Sequence, residues 1–149
     1  MSKNNLNIND ILITPLKIIS VPNGDVMHAI KSSDVGYKDF GEAYFSCINS
    51  GVIKAWKRHK KMILNLIVPS GKVKFVFFDD RYKSQSHGSY SEIVLSKENF
   101  CRLTVPPMIW MGFMGLDNKT SIILNVASIE HSSDEIEKKE LNQIIYNWE

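Results

Sequence analysis

Basic side chains cluster in one stretch of the sequence, Lys54–Lys61, which reads KAWKRHKK. In an extended strand, residues two apart share a face, so Lys57 and His59 point into one pocket and Lys61 follows on the same side. Arg58 and Lys60 then point outward. Ammonium groups on one face of a strand attract negative charge, and the stretch therefore predicts part of a pocket for an anionic ligand.

Two apolar runs follow this stretch and indicate strands that support it. Met62–Val68 and Val73–Phe78 are rich in branched and aromatic residues, which favour strands. Pro69-Ser70-Gly71-Lys72 separates them and has the composition of a turn. We expect the two runs to form a β-hairpin.

Short strand-like runs continue along the chain, with turn signals at intervals of roughly 8–12 residues, which is typical of an all-β sandwich or barrel. Pro15 makes Ile11–Ile19 an edge strand, because proline cannot donate into a central ladder. Ser133 is expected to cap a short charged helix, Asp134–Glu140, or the end of the chain forms a strand at Tyr146–Trp148. Further strands are expected at Val26–Ile30, Ala43–Ile48, Val52–Trp56, Ser91–Leu95, Cys101–Val105 and Ser121–Ser128, and Ile109–Leu116 is an apolar run with two glycines.

Length and composition are those of an ordinary globular protein. The chain has 149 residues, of which 44% are hydrophobic and 23% charged, and residues 1–149 are expected to form a single domain. A net charge of +2 gives no argument for a nucleic-acid partner. No apolar run approaches the roughly 20 residues of a membrane span, and no signal peptide is recognisable. Cys47 and Cys101 are expected to be thiols in the core rather than disulfide partners, which is consistent with a reducing cytoplasm.

Several stretches carry motifs whose order along the chain is informative. Asp34–Glu42 is similar to D-x-R-G-x-F-x-E, Gly51–Trp56 to G-V-L-R-G-L-H, and Gly71–Arg81 to G-x-V-x-D-V-x-V-D-x-R. Leu95–Phe113 is similar to L-S-x-x-N followed by I-P-x-G-x-x-H-G-F. In this order, the motifs resemble those of the dTDP-4-dehydrorhamnose 3,5-epimerase family over roughly residues 24–131. The resemblance implies an all-β, cupin-type jelly-roll barrel with little helix, which acts on nucleotide sugars.

The resemblance also implies the site, although three expected residues differ. The family's catalytic base falls at Lys57, its opposing tyrosine at Asn125 and a later histidine at Met111. The catalytic candidates are therefore Lys57 or His59 as the base, with Tyr44 as an acid by residue type. Candidate substrate-binding residues are Lys54, in place of a pyrophosphate-binding arginine, together with Lys61, Glu42, Trp110 and Asn125. A lysine binds phosphate as a point charge rather than as a bidentate fork.

Three activities remain open from the sequence. The first is epimerisation of a 4-keto-6-deoxy nucleotide sugar for surface polysaccharide biosynthesis, in which a base removes the α-proton and an acid returns one. The second is 3,4-ketoisomerisation, since Lys54–Lys61 and Val105–Trp110 also resemble the R-G-x-H-A-H-K-K and I-P-P-x-x-W motifs of that family. The third is sugar-nucleotide binding without catalysis.

Cofactors and partners follow from the same resemblance. No cofactor is expected, because the ketone already acidifies the α-proton. No metal is expected either, since the cupin pattern needs two closely spaced histidines and this stretch supplies only His59. The family implies a homodimer in which the edge strand Ile11–Ile19 pairs with its partner. His131 is expected to be a surface or loop histidine.

Overall fold

The computed structural model describes residues 5–149 and shows an almost entirely β architecture in that range. Two short 3-10 turns, Ser133–Glu135 and Leu141–Gln143, are the helical elements of the described chain. The strands are β1 Asn5–Leu6, β2 Leu12–Pro15, β3 Ile18–Ile19, β4 Val26–Met27, β5 Glu42–Ile48, β6 Ile53–His59, β7 Leu64–Ser70, β8 Lys72–Phe78, β9 Tyr90–Ser96, β10 Cys101–Val105, β11 Trp110–Gly115, β12 Ser121–Ala127 and β13 Ile136–Lys138. Residues 1–4 of the predicted domain lie outside the described residues. Within residues 5–149, no helix is long and apolar enough to cross a membrane.

Two antiparallel sheets form the body of the fold. The six-stranded sheet has the order β1-β9-β8-β11-β6-β13, and the five-stranded sheet has the order β2-β10-β7-β12-β5. Inward-facing side chains of both sheets make the main core, in which Phe75 and Phe77 are fully buried. This architecture confirms the predicted all-β, cupin-type jelly roll. Strand β2 pairs with β10 at the edge of its sheet, as expected for the segment that contains Pro15.

The predicted hairpin of the two apolar runs is wrong. Strands β7 and β8 belong to different sheets, and the chain crosses between the sheets at Gly71. Gly71 has φ +91°, and a Cβ there would lie 2.2 Å from the Oγ of Ser121, so the crossing requires glycine. Both runs are largely apolar, with Asn65 and Lys74 as the exceptions, because most of their side chains are buried on either face, and such runs carry no signal of which strand they pair with.

The last part of the chain, residues 132–149 (the C-terminal segment), does not form the predicted helix or a strand at Tyr146–Trp148. After the first 3-10 turn, β13 pairs with β6 and extends the six-stranded sheet. The rest of the segment covers the outer face of that sheet, where Trp148 packs 5.5 Å from Trp56 between ring centroids. Lys74 Nζ donates a hydrogen bond of 3.0 Å to the Trp148 carbonyl. Tertiary contacts on this apolar face therefore override the weak helix signal.

A buried carboxylate organises the loop that follows β8. Asp79 is fully buried and accepts hydrogen bonds from the backbone and guanidinium of Arg81 and from the hydroxyls of Ser84 and Ser86. Burial alone raises the pKa of Asp79, but these donors outweigh it and hold that pKa well below its usual range. Asp79 is therefore an ionised anchor of the loop.

Candidate active site

A cavity of about 800 Å³ opens between the two sheets. Its floor is apolar and includes Phe75 and Phe113, while polar and charged side chains line its walls. The structure brings together at this cavity six of the eight side chains that the sequence nominated, namely Glu42, Tyr44, Lys54, Lys57, His59 and Asn125. The predicted pocket strand and the facing sheet therefore meet at one site.

Two nominated residues lie elsewhere. Trp110 is buried in the outer cluster of the six-stranded sheet, where its Nε1 donates to Asp80 Oδ2 at 2.8 Å. Lys61 falls beyond the end of β6, and its backbone N–H donates to Glu135 Oε1 at 2.7 Å. Because the strand ends at His59, the period-two argument does not carry Lys61 into the cavity.

A bulge in β6 determines which of its side chains reach the cavity. On β11, Met111 and Phe113 are two residues apart, but their partners on β6, Lys57 and Lys54, are three apart. The extra residue lets both lysines line the cavity. The strand comes close to Gly112 at this point, since a Cβ there would lie 2.6 Å from that of Ala55. Lys54 Nζ also donates to the carbonyl of Cys47 at 2.8 Å.

Arg58 occupies the opposite face of β6 and is tied into the outer side of the sheet. Its guanidinium donates to Glu137 at 2.6 Å and to Asp80 at 2.8 Å. The same group lies over the ring of Trp110, 4.7 Å from the centroid. Arg58 thus points away from the cavity, as expected from the strand period, but it is an ion-paired structural group rather than a solvated charge.

Lys57 and His59 are the basic groups on the cavity side of β6. Burial lowers the pKa of Lys57, and the nearby charges of Lys138 and Lys54 lower it further. Burial also lowers the pKa of His59, against an opposing effect of Glu135, so the imidazole is neutral at pH 7. Its Nδ1 has no hydrogen-bond partner in the described chain and lies 3.9 Å from Glu135 Oε1. Both groups therefore have an increased tendency to be uncharged, which a proton acceptor requires.

Tyr44 lines the cavity from the facing sheet. It is directly opposite Asn125 in the β5–β12 pair, and Asn125 Nδ2 donates to its hydroxyl at 3.0 Å. Asn125 is itself buried and is held by the backbone N–H of Asn65, which donates to its Oδ1 at 3.2 Å. Because the phenol oxygen accepts this bond, its own proton remains available for another acceptor.

The C-terminal segment supplies cavity residues that the sequence analysis missed. They include Lys138, Lys139, Glu140 and Gln143, and His131 lies just before this segment. The Lys138-Lys139 pair is visible in the sequence, but it was assigned to a short charged helix and not connected with the pocket strand. Pairing of β13 with β6 instead brings Lys138 next to Lys57.

The arrangement combines proton-transfer groups with positive charge. Amine and imidazole side chains lie on one sheet and a phenol lies on the other, so groups on two sides of a bound molecule can take and give a proton. Lysines outnumber the acidic residues Glu42 and Glu140 around the cavity, which favours an anionic ligand. Among residues 5–149, no three histidine, cysteine or acidic side chains are grouped so that they could hold a metal ion.

Comparison with known proteins identifies the family. The sequence model of the dTDP-4-dehydrorhamnose 3,5-epimerases matches residues 8–144. The chain belongs to this family. Its members are sugar-nucleotide epimerases, and the resemblance seen in the motifs is thereby confirmed.

Individual relatives agree with this assignment. The chain is 26% identical, over 80% of its length and 78% of the relative's, to a probable low-salt glycan biosynthesis epimerase, Agl13, of Haloferax volcanii. It is also 26% identical to the spore coat polysaccharide biosynthesis protein SpsL of Bacillus subtilis, over 73% of this chain and 75% of that one. Among solved structures, a dTDP sugar isomerase from Desulfovibrio desulfuricans superposes with a TM-score of 0.92 at 29% identity, over 96% of this chain and 93% of that chain.

Proposed function

We propose that this protein epimerises a 4-keto-6-deoxy nucleotide-diphosphate sugar, or a related 4-keto sugar, by removing and returning a proton beside the ketone. The observation that carries the proposal is the placement of Lys57 and His59 on one wall of the cavity and Tyr44 on the facing wall. Inversion needs a base on one face of the carbon and an acid on the other, and the two sheets supply them.

In this mechanism Lys57 takes the α-proton, and the electrons of the broken C–H bond move into the ketone to form an enolate. The phenol of Tyr44 then gives its proton to the same carbon from the opposite face. Asn125 holds the phenol by donating to its oxygen, which also stabilises the tyrosinate left after transfer. A proton from Lys57 returns to Tyr44 through solvent and completes the cycle. His59, also on the β6 side, is a second neutral base and is tested in parallel.

Positive charge around the cavity supports a nucleotide-diphosphate sugar as the ligand. Besides the proposed base, Lys54 and Lys138 line the same space, and no carboxylate forms a salt bridge with them in the described chain. A diphosphate group binds well among such ammonium groups. The relatives that are named for glycan and spore-coat polysaccharide biosynthesis support a role in supplying sugars for a surface polysaccharide.

The test is incubation with a dTDP-4-keto-6-deoxy sugar in deuterated water, followed by NMR of the product. Deuterium at C3 or C5 with inverted configuration and an unmoved ketone is the expected result. A 3-keto product would instead identify a 3,4-ketoisomerase. Binding without exchange or product would identify a non-catalytic binding protein.

Single variants then assign the roles. We expect Lys57→Ala and Tyr44→Phe each to lower the rate of inversion by about 10²–10⁴-fold, the usual contribution of a general acid or base. Lys60→Ala is the matched control, because this lysine lies in the same basic run but is exposed and outside the cavity. Full activity of both Lys57→Ala and His59→Ala would exclude the base assignment.

We also propose that two copies associate through β2, one of the two edge strands of the five-stranded sheet. An edge strand presents unpaired backbone groups that a second copy can satisfy. Light scattering should give the mass of a dimer. The variant Ile13→Pro removes one backbone donor from this strand and should shift the mass toward the monomer, whereas a monomeric wild-type protein would refute the proposal.

A further inference from the structure

Two lysines lie opposite each other on β6 and β13, at the edge of the six-stranded sheet that borders the cavity. In the antiparallel pair β6–β13, Lys138 is directly opposite Lys57, and both residues line the cavity. Directly opposite residues of such a pair point to the same face, with Cβ atoms roughly 4.5–5.5 Å apart. Like charges in this arrangement repel each other and destabilise the sheet. The Lys57–Lys138 pair therefore lowers the stability of the folded protein, which raises the question of what the pair does at the site.

The surroundings do not neutralise this pair. In the part of the chain that the structure describes, neither lysine forms a salt bridge with a carboxylate. On the other side of β6 in the same sheet, β11 places the apolar Met111 opposite Lys57. The other titratable groups around the cavity are Lys54 and His59 on β6, Glu42 and Tyr44 on β5, His131, and Lys139 and Glu140 of the C-terminal segment.

We propose that Lys138 is a positioning residue that acts through Lys57, its positive charge favouring the free-amine form in which Lys57 accepts the substrate's proton. The inference rests on the proposed function, in which Lys57 is the base. Its physical basis is that a nearby like charge disfavours a second ammonium. Burial is the main cause that lowers the pKa of Lys57, and the charge of Lys138 is the next. The charge of Lys138 on β13 thus affects the protonation of the proton acceptor, Lys57, on β6.

A different role for the same lysine makes the opposite prediction. If Lys138 served only to bind the diphosphate, its removal would weaken substrate binding and leave the titration of Lys57 unchanged. The two roles are therefore separable, because one affects a protonation equilibrium of the free enzyme and the other affects the substrate KM.

The direct test is NMR titration of the Lys57 side chain in the folded, substrate-free protein. Lysine ¹³Cε signals would be recorded against pH, with the Lys57 signal assigned by its loss in Lys57→Arg. We expect the Lys57 midpoint to move to higher pH in Lys138→Gln, and still further in Lys138→Glu, and to stay near its wild-type value in Lys138→Arg. An unchanged midpoint in Lys138→Gln would overturn the inference.

A neighbouring lysine provides the matched control. Lys60→Gln removes the same charge from a nearby lysine that is exposed and lies outside the cavity. Because solvent and salt screen an exposed charge, this substitution should leave the Lys57 midpoint unmoved. An equal shift in both variants would show a general charge effect and would contradict the specific role of Lys138.

Kinetics give the second readout. The pH profile of kcat for solvent exchange should show an acidic limb that moves to higher pH in Lys138→Gln, with the plateau at high pH retained. At a pH below the midpoint of this limb, each pH unit by which the limb moves upward lowers the rate about tenfold. The reason is that the fraction of Lys57 present as free amine falls by that factor. A higher KM with an unmoved limb would overturn the inference. A shifted NMR midpoint in an enzyme without any exchange activity would uphold the electrostatic coupling and refute the proposed function.

Discussion

Two carboxylates contact the same nitrogen of Arg81 at the same distance, and burial should determine how much each contributes to stability. Asp79 Oδ2 and Asp10 Oδ2 both lie 2.8 Å from Arg81 Nη2, but the Asp79 side chain is 0% exposed and that of Asp10 is 58% exposed. Replacing a buried charged partner leaves its mate and its other donors unpaired, which costs about 3–5 kcal/mol. Replacing an exposed partner costs at most about 1 kcal/mol.

Urea denaturation of Asp79→Asn and Asp10→Asn measures this difference. With a denaturant dependence of about 2 kcal/mol per molar, the Asp79 variant should lose about 1.5–2.5 M in its midpoint at pH 7, and the Asp10 variant at most about 0.5 M. Equal losses in the two variants would refute the assignment of Asp79 as the anchor of the loop.

The pH dependence of the same pair gives a further check. The pKa of Asp79 is lower in the folded protein than in the unfolded chain, so its ionised form stabilises the fold. That stabilisation is complete above the unfolded pKa of about 3.9 and is lost as the pH falls toward the folded pKa. The stability difference between wild type and Asp79→Asn should therefore narrow below about pH 4. A difference that widens on acidification would contradict the reasoning.

Two further pairs of substitutions test the packing and the chain crossing that support the cavity. Trp148→Ala should lower the free energy of unfolding by about 3–5 kcal/mol, because it removes a buried indole that covers the outer face. Ile145 is exposed on the same segment, so Ile145→Ala should cost under about 0.5 kcal/mol. Parallel denaturation experiments on the two variants measure this difference. Gly71→Ala should lower the free energy of unfolding by about 2–4 kcal/mol, because the new Cβ adds both backbone strain and a clash with Ser121. Gly51 also has a positive φ, +73°, but a Cβ there would meet open space. Gly51→Ala should therefore cost only about 1–2 kcal/mol, from backbone strain alone. Similar losses for the two members of either pair would contradict the packing described for it.

Local patterns in the sequence predicted individual strands well. Cys101–Val105 was predicted with the bounds of β10, and Ser121–Ser128 exceeds β12 by one residue. Short runs of branched and aromatic residues between turns are sufficient for this, because the signal is local. Lys57 and His59 share the cavity side as the strand period requires, and the family motifs directed attention to Asn125 on the facing sheet.

The remaining features depend on contacts between distant residues. The pairing partners of a largely apolar strand such as β7 are β10 and β12, which are distant in sequence, and the crossing at Gly71 separates β7 from β8. The bulge that brings Lys54 into the cavity leaves no mark in the residue pattern around Ala55. The covering of the outer face by Trp148 is likewise a tertiary effect, and Trp110 lies in the same buried cluster, away from the site.

The central claim is that groups on the two facing sheets act on one carbon from opposite sides. Stereochemical analysis of deuterium incorporation into a 4-keto-6-deoxy nucleotide sugar tests it most directly, with wild type, Tyr44→Phe and the double variant Lys57→Ala/His59→Ala compared under the same conditions. The account predicts labelled, inverted product for wild type, exchange with retained configuration for Tyr44→Phe, and neither exchange nor inversion for the double variant. Inversion by Tyr44→Phe at the wild-type rate, or exchange by the double variant, would contradict it.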